Sequence, residues 1–151
     1  MIGYLKGKDL EEVVEISGQY NLKAIQPVFT ENSQQFSKAN FAKHLTRLQQ
    51  KSRVCTKQAK KAWETLISPP VSLEEYLSIA EGPNCILDWG SETAPVTIPK
   101  SLFCGPEGGF SLDEINKIKG MAQTSVLSLG ETRIRAKHAP AFALGALAQI
   151  R

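Results

Sequence analysis

The sequence predicts an α/β domain built on a mainly parallel sheet, and three observations carry that expectation. Residues 85–89, 101–104 and 125–129 are short apolar runs bounded by turn residues, the pattern of buried strands. Segments with apolar residues at three- and four-residue steps alternate with them, and parallel neighbours need such helical crossovers to be joined. With 151 residues, 42% hydrophobic and 22% charged, the composition is that of an ordinary soluble globular domain, long enough to bury one continuous core. No internal repeat or low-complexity linker interrupts it, so residues 1–151 are expected to form a single domain.

The elements follow in order. Residues 9–18 place Leu10, Val13, Val14 and Ser17 on one side of a short helix, whose positive N-terminal end suits Asp9 and the glutamates after it. Residues 24–30 look like a strand, with Pro27 favouring an edge or irregular position because it lacks an N–H. Phe41, Leu45, Leu48, Cys55, Ala59, Ala62 and Leu66 keep helical spacing, broken only by Ser52. They describe one long helix, ended by Pro69-Pro70. Ser72 followed by Glu75 reads as a capping box opening a short helix to about residue 80. The turn Gly82-Pro83-Asn84 leads to the first buried strand, and the second runs directly into Gly105-Pro106-Glu107-Gly108-Gly109. Ser111 with Glu114 opens another capped helix, to about residue 119. The chain closes in an alanine-rich helix over residues 136–149 that tolerates Pro140 because it lies near the start.

Charge is distributed unevenly. The net charge is only +3, but Lys38, Lys43, Arg47, Lys51, Arg53, Lys57, Lys60 and Lys61 fall between Asn32 and Trp63 with no acid among them. Such a block fits a polyanion, since lysine and arginine release counterions from phosphates, and Lys57, Lys60 and Lys61 are the candidate phosphate contacts. A solvated helix face is the equally open alternative. Cys55, Cys85 and Cys104 form no CxxC or Cys/His spacing, which fits reduced thiols in a cytoplasmic protein. There is no apolar run of membrane-spanning length and no signal-peptide pattern. His44 and His138 lack companions for a metal site, so no metal is expected.

The glycine-rich stretch is the strongest chemical signal. Glycines after a buried strand let the backbone approach a ligand closely, although a GG pair alone equally marks a tight turn. Neither GxGxxG nor GxxxxGK[ST] is present, which removes the support for dinucleotide-dehydrogenase and phosphate-loop readings. Glu107 can cap the next helix or bind backbone amides, and Asp113 with Glu114 suits a first helical turn better than acid–base chemistry.

The string FCGPEGGFS at 103–111, then Glu114 and Leu127-Ser128-Leu129-Gly130, closely resembles the C-terminal signature of the small-subunit ribosomal RNA uridine-N3 methyltransferases (RsmE) of the SPOUT superfamily. Ile25-Gln26-Pro27, Thr30-Glu31, Gln58, Pro69-Pro70-Val71-Ser72-Leu73, Tyr76-Leu77 and Ile98-Pro99 extend the resemblance over nearly the whole chain. It implies an α/β fold whose C-terminal segment is threaded into a deep trefoil knot, against the usual rule. It implies S-adenosylmethionine held by Leu87, Cys104, Gly105, Pro106, Glu107, Gly108, Gly109, Leu129, Gly130, Ile134 and Arg135. Small-subunit ribosomal RNA would be the substrate, a homodimer the assembly, and Arg135 the catalytic residue facing the charge that develops on the uracil. The β-barrel RNA-binding domain that precedes this one in the family has no counterpart in these residues. Where the family reads LGxRILRxETA, this chain has Thr132 for the first Arg, Lys137 for Glu and His138 for Thr, and Asn32 replaces an Arg further upstream. A cofactor- and RNA-binding homologue with weakened or lost catalysis is therefore the second reading.

Overall fold

A computed structural model describes residues 1–5, 7–33, 38–89 and 97–150, with the backbone alone at 38–40. Its order is β1 (Ile2–Gly3), α1 (Gly7–Ser17), β2 (Ala24–Ile25), β3 (Pro27–Phe29), α2 (Lys38–Gln58), β4 (Leu66–Ile67), β5 (Val71–Ser72), α3 (Leu73–Ile79), β6 (Asn84–Leu87), β7 (Ser101–Phe103), α4 (Leu112–Lys119), β8 (Thr124–Leu127) and α5 (Ala139–Leu147). The expected parallel α/β architecture is what the chain adopts. The strand pairs β1–β3, β3–β5, β2–β4, β6–β7 and β6–β8 are all parallel. Two three-stranded groups, β1-β3-β5 and β7-β6-β8, meet where Ile2 bridges Cys104, just past the end of β7. There Gly3 N donates to Cys104 O at 2.7 Å, and Cys104 N donates to Met1 O at 3.2 Å.

Alternation along the strands sends side chains to helices on both faces. On β6, Ile86 packs with Phe103, Leu73 of α3 and Ile118 of α4, whereas Cys85 and Leu87 turn toward Ala143 and Leu147 of α5. Leu10, Val13 and Val14 of α1 meet Phe41 and Leu48 of α2 beside Tyr4 and Leu5. Both capping boxes form: the hydroxyls of Ser72 and Ser111 accept from the Glu75 and Glu114 backbone, and each glutamate side chain accepts in return. Each such cap stabilises its helix by about 1 kcal/mol.

The expectation for Pro27 holds in one of its two forms, and two others need correction. Pro27 is irregular, as expected, because Gln26 breaks the strand into β2 and β3. It is not at an edge, since β3 lies between β1 and β5. The long helix stops at Gln58, and Ala59, Ala62 and Leu66 are exposed although they fit its period. Lys60 adopts φ +52°, which turns the chain out of the helix. Residues 66–67 then form β4, with Ile67 buried and Leu66 facing solvent. Ser52, the supposed break in the stripe, is fully buried and donates to Thr65 O at 2.6 Å. A buried serine with a partner costs the helix little, so its polarity was a misleading signal.

Candidate active site

Because β6, β7 and β8 are parallel and adjacent, their carboxyl ends open on the same side, the place where open α/β sheets hold ligands. Leu87-Asp88-Trp89 leaves β6, Cys104-Gly105 leaves β7, and the chain after Leu127 leaves β8. After β7 the backbone turns through Pro106 to Gly109, closed by Gly109 N donating to Pro106 O at 2.9 Å, with Gly109 at φ +74°. Gly130, at φ +99°, makes the corresponding bend after β8. Together these segments enclose a cavity of about 430 Å³.

The turn is held from several directions. A Cβ on Gly3 would lie 2.4 Å from Pro106 Cδ, so only glycine lets β1 come this close. The Asn32 side-chain amide, carried just past β3, donates to Gly109 O at 3.2 Å. Glu114 is buried, and its two carboxylate oxygens accept from Glu31 N at 2.8 Å and Ser111 N at 2.9 Å. One residue thus caps α4 and docks the loop after β3 against it. Lys119 at the end of α4 reaches Asp88 in the cavity wall at 2.7 Å, and the Trp89 indole N–H donates to Glu131 O at 2.8 Å.

Of the residues marked from sequence, Leu87, Cys104, Gly105, Pro106, Glu107, Gly109, Leu129, Gly130 and Ile134 line the cavity. Gly108 and Arg135 do not. Gly108 faces Asn32, whose Cβ would be 2.8 Å from a Cβ placed on it. Arg135 is exposed, and its carbonyl accepts from His138 N at 2.9 Å and Ala139 N at 3.0 Å, starting α5. The arginine that does line the cavity is Arg133. Sequence reasoning also missed Asp88, Trp89, Phe110 and Thr132. Position at the carboxyl end of a predicted strand of a parallel sheet was the signal that would have found Asp88 and Trp89. Burial pushes the Cys104 thiol up to about 12, so it stays protonated and is no nucleophile despite its place in the wall. Among the described residues there is no His, Cys, Asp and Glu group fit to hold a metal.

Much of the basic block is used internally. Arg47 pairs with Glu11 at 3.0 Å, Lys51 with Glu15 at 3.0 Å and Arg53 with Glu64 at 3.1 Å. Lys61 donates to Gly18 O at 3.0 Å and to Thr65 Oγ1 at 2.9 Å. Lys43, Lys57 and Lys60 are exposed, the side chain of Lys38 lies outside the described residues, and no residue of α2 lines the cavity. No helix among the described residues is long and apolar enough to cross a membrane.

Residues 1–148 match the family model of the RNA methyltransferase domain. Among solved structures, the chain is similar to a Legionella pneumophila protein described as a methyltransferase and solved with its cofactor SAM bound. The two are 28% identical with a TM-score of 0.87, over 97% of this chain and 64% of that one. It is also similar in fold to ribosomal RNA small subunit methyltransferase E of Neisseria gonorrhoeae, solved bound to S-adenosyl methionine. Here the identity is 22% and the TM-score 0.84, over 97% of this chain and 62% of that one. The chain thus spans less than two thirds of the length of either protein. No curated protein matches the sequence.

Proposed function

We propose, for a chain that belongs to the RNA methyltransferase domain family, that it transfers a methyl group from S-adenosylmethionine to N3 of a uridine in small-subunit ribosomal RNA. The observation that carries this reading is the cavity at the carboxyl ends of β6, β7 and β8, walled by the Gly105–Gly109 turn and the bend at Gly130. Its volume of about 430 Å³ lies within the range of cofactor pockets, and both Gly109 and Gly130 leave open space where a Cβ would stand. Apolar groups from Leu87, Leu127, Leu129 and Ile134 suit a heterocycle and a methionine chain, and the turns offer backbone groups for the polar ends.

When bound, S-adenosylmethionine supplies a methyl group already activated by its sulfonium centre. The protein's share is alignment and electrostatics. Arg133 brings a permanent positive charge to the wall, suited to the negative charge that builds on a uracil as N3 loses its proton. This role passes to Arg133 from Arg135, which stands off the cavity. Exposed Lys57 and Lys60 are the proposed phosphate contacts. A homodimer, a knotted C-terminal course and a cytoplasmic setting belong to the same reading. The exposed Phe142 on α5 supports the dimer, and three free, buried cysteines support the setting.

The second reading, binding without efficient catalysis, is favoured by Lys137. Its ammonium group is committed to Asp9 and Glu12 of α1, so it adds no free side chain to the catalytic face. Calorimetry with S-adenosylmethionine, run beside methyl transfer to small-subunit RNA followed by nucleoside mapping, separates the two. Binding with methylated uridine N3 is the expected result. Binding without transfer selects the second reading, and no binding removes both.

A further inference from the structure

Trp89 lines the cavity, yet the residue is 67% exposed, and it belongs to none of the three buried clusters. The core therefore does not need the ring. Its only donor is spent on Glu131 O at 2.8 Å, which joins the segment after β6 to the loop after β8. That bond restricts the indole at the cavity mouth and leaves its π face as what it can offer a ligand. Thr132 and Arg133 share the same wall, so an exposed tryptophan and an arginine border one opening. Nucleobases suit such a pair: any base can stack on the ring, and carbonyl oxygens or phosphate can accept from the arginine.

We infer that Trp89 is a stacking platform for a nucleobase at the mouth of the cavity. The inference rests on the function proposed above and adds a recognition residue to it. The base is supplied either by the adenine of the cofactor or by the RNA, and the test has an arm for each. In a Trp63→Phe background Trp89 is the sole tryptophan, and Trp63 lines no part of the cavity. The probes are S-adenosylhomocysteine alone, and a short uridine-containing oligoribonucleotide added in its presence. Calorimetry reports binding, while Trp89 emission and its access to acrylamide report stacking.

The arm whose base stacks should quench the emission and reduce acrylamide access. Trp89→Ala should weaken that arm about five- to 150-fold, the range of base–aromatic stacking. Trp89→Phe loses the bond to Glu131 but keeps an aromatic face, and should stay within about threefold of the parent. Two results would overturn the platform while sparing the wider function: both probes bind with Trp89 emission unchanged, or Phe is as damaging as Ala, the mark of a loop tie alone. If neither probe binds the parent, the proposed function falls and the platform falls with it.

Discussion

Lys137 Nζ lies 2.9 Å from Glu12 Oε2 and 3.3 Å from Asp9 Oδ1, fastening the approach to α5 onto the first turns of α1. The bond to Glu12, then that to Asp9, raises the lysine's affinity for its proton. Replacing Lys137 by Glu would restore the residue the resembled family carries here, but it would set a third carboxylate against two others. Lys137→Glu is expected to have a lower urea midpoint than Lys137→Ala at low salt, with the gap narrowing as salt screens the repulsion. Equal midpoints at low salt would show that a carboxylate at this position is not repelled by Asp9 and Glu12.

A second prediction concerns the approach of β1 to the turn. Gly3→Ala would place a Cβ 2.4 Å from Pro106 Cδ and 2.5 Å from its nitrogen, so backbone has to move. Overpacking of this kind costs about 1–3 kcal/mol. The displaced turn should also lose affinity for S-adenosylhomocysteine. Gly109→Ala provides the contrast, since φ is +74° but no atom lies within 4 Å of the new Cβ. It should cost about 1–2 kcal/mol of conformational strain. Calorimetry and urea titration of both variants decide between clash and strain, and an undisturbed Gly3→Ala variant would show that the turn gives way freely.

Arg133 and Arg135 differ by two residues in sequence and by their relation to the cavity. If the guanidinium in the wall stabilises developing negative charge, Arg133→Ala should lower kcat roughly a hundred- to a thousandfold, as losing an oxyanion donor does. Arg135→Ala should leave kcat near the parent. The measurement is methyl transfer to small-subunit RNA at saturating cofactor, and the reverse ranking would return the role to Arg135.

What the sequence made legible follows from how local each signal was. Ser72 with Glu75, and Ser111 with Glu114, are contained within four residues, and both capping boxes form. The buried strands of residues 85–89, 101–104 and 125–129 appear as β6, β7 and β8, shifted by a residue or two. The strands that failed to register are two residues long: β1, β4 and β5 are too short to have a period, and their existence depends on distant partners such as Ile2 with Cys104. The GPEGG turn was legible because its glycines answer local backbone needs. Arg133 and Asn32 were not, because only the parallel register brings the segments after β3 and β8 to one turn.

Buried thiols set a pH limit. Burial raises Cys55, Cys85 and Cys104, the last to about 12, from the usual value of about 9. Between those values the unfolded chain has lost protons that the folded chain keeps, so stability falls as pH rises above about 9 and is unaffected by these groups below it. The urea midpoint should drop between pH 8 and pH 10.5, and Cys104→Ala should reduce that drop. A dependence unchanged in Cys104→Ala would place the alkaline sensitivity elsewhere, with Tyr4, also raised by burial, the next group to examine.

The lysines after the middle of α2 should separate into two kinds. Lys57 and Lys60 are exposed, whereas Lys61 holds Gly18 O and Thr65 Oγ1 and is partly desolvated, which lowers its affinity for a proton. If the exposed pair contacts RNA phosphates, Lys57→Gln with Lys60→Gln should weaken binding for every RNA sequence. It should also flatten the dependence of log K on log salt by about 0.7 per lysine for single strands. The folded state should be little changed, because both side chains lie off the buried face. Lys61→Ala should act in the opposite way, lowering the urea midpoint by removing the donor to a carbonyl and a hydroxyl, with little effect on the salt slope. Filter binding across a salt series, beside urea titration, reads both. An unchanged slope in the double variant would make Lys57 and Lys60 a solvated helix end, and a flattened slope in Lys61→Ala would mean that RNA draws this lysine away from Gly18 and Thr65.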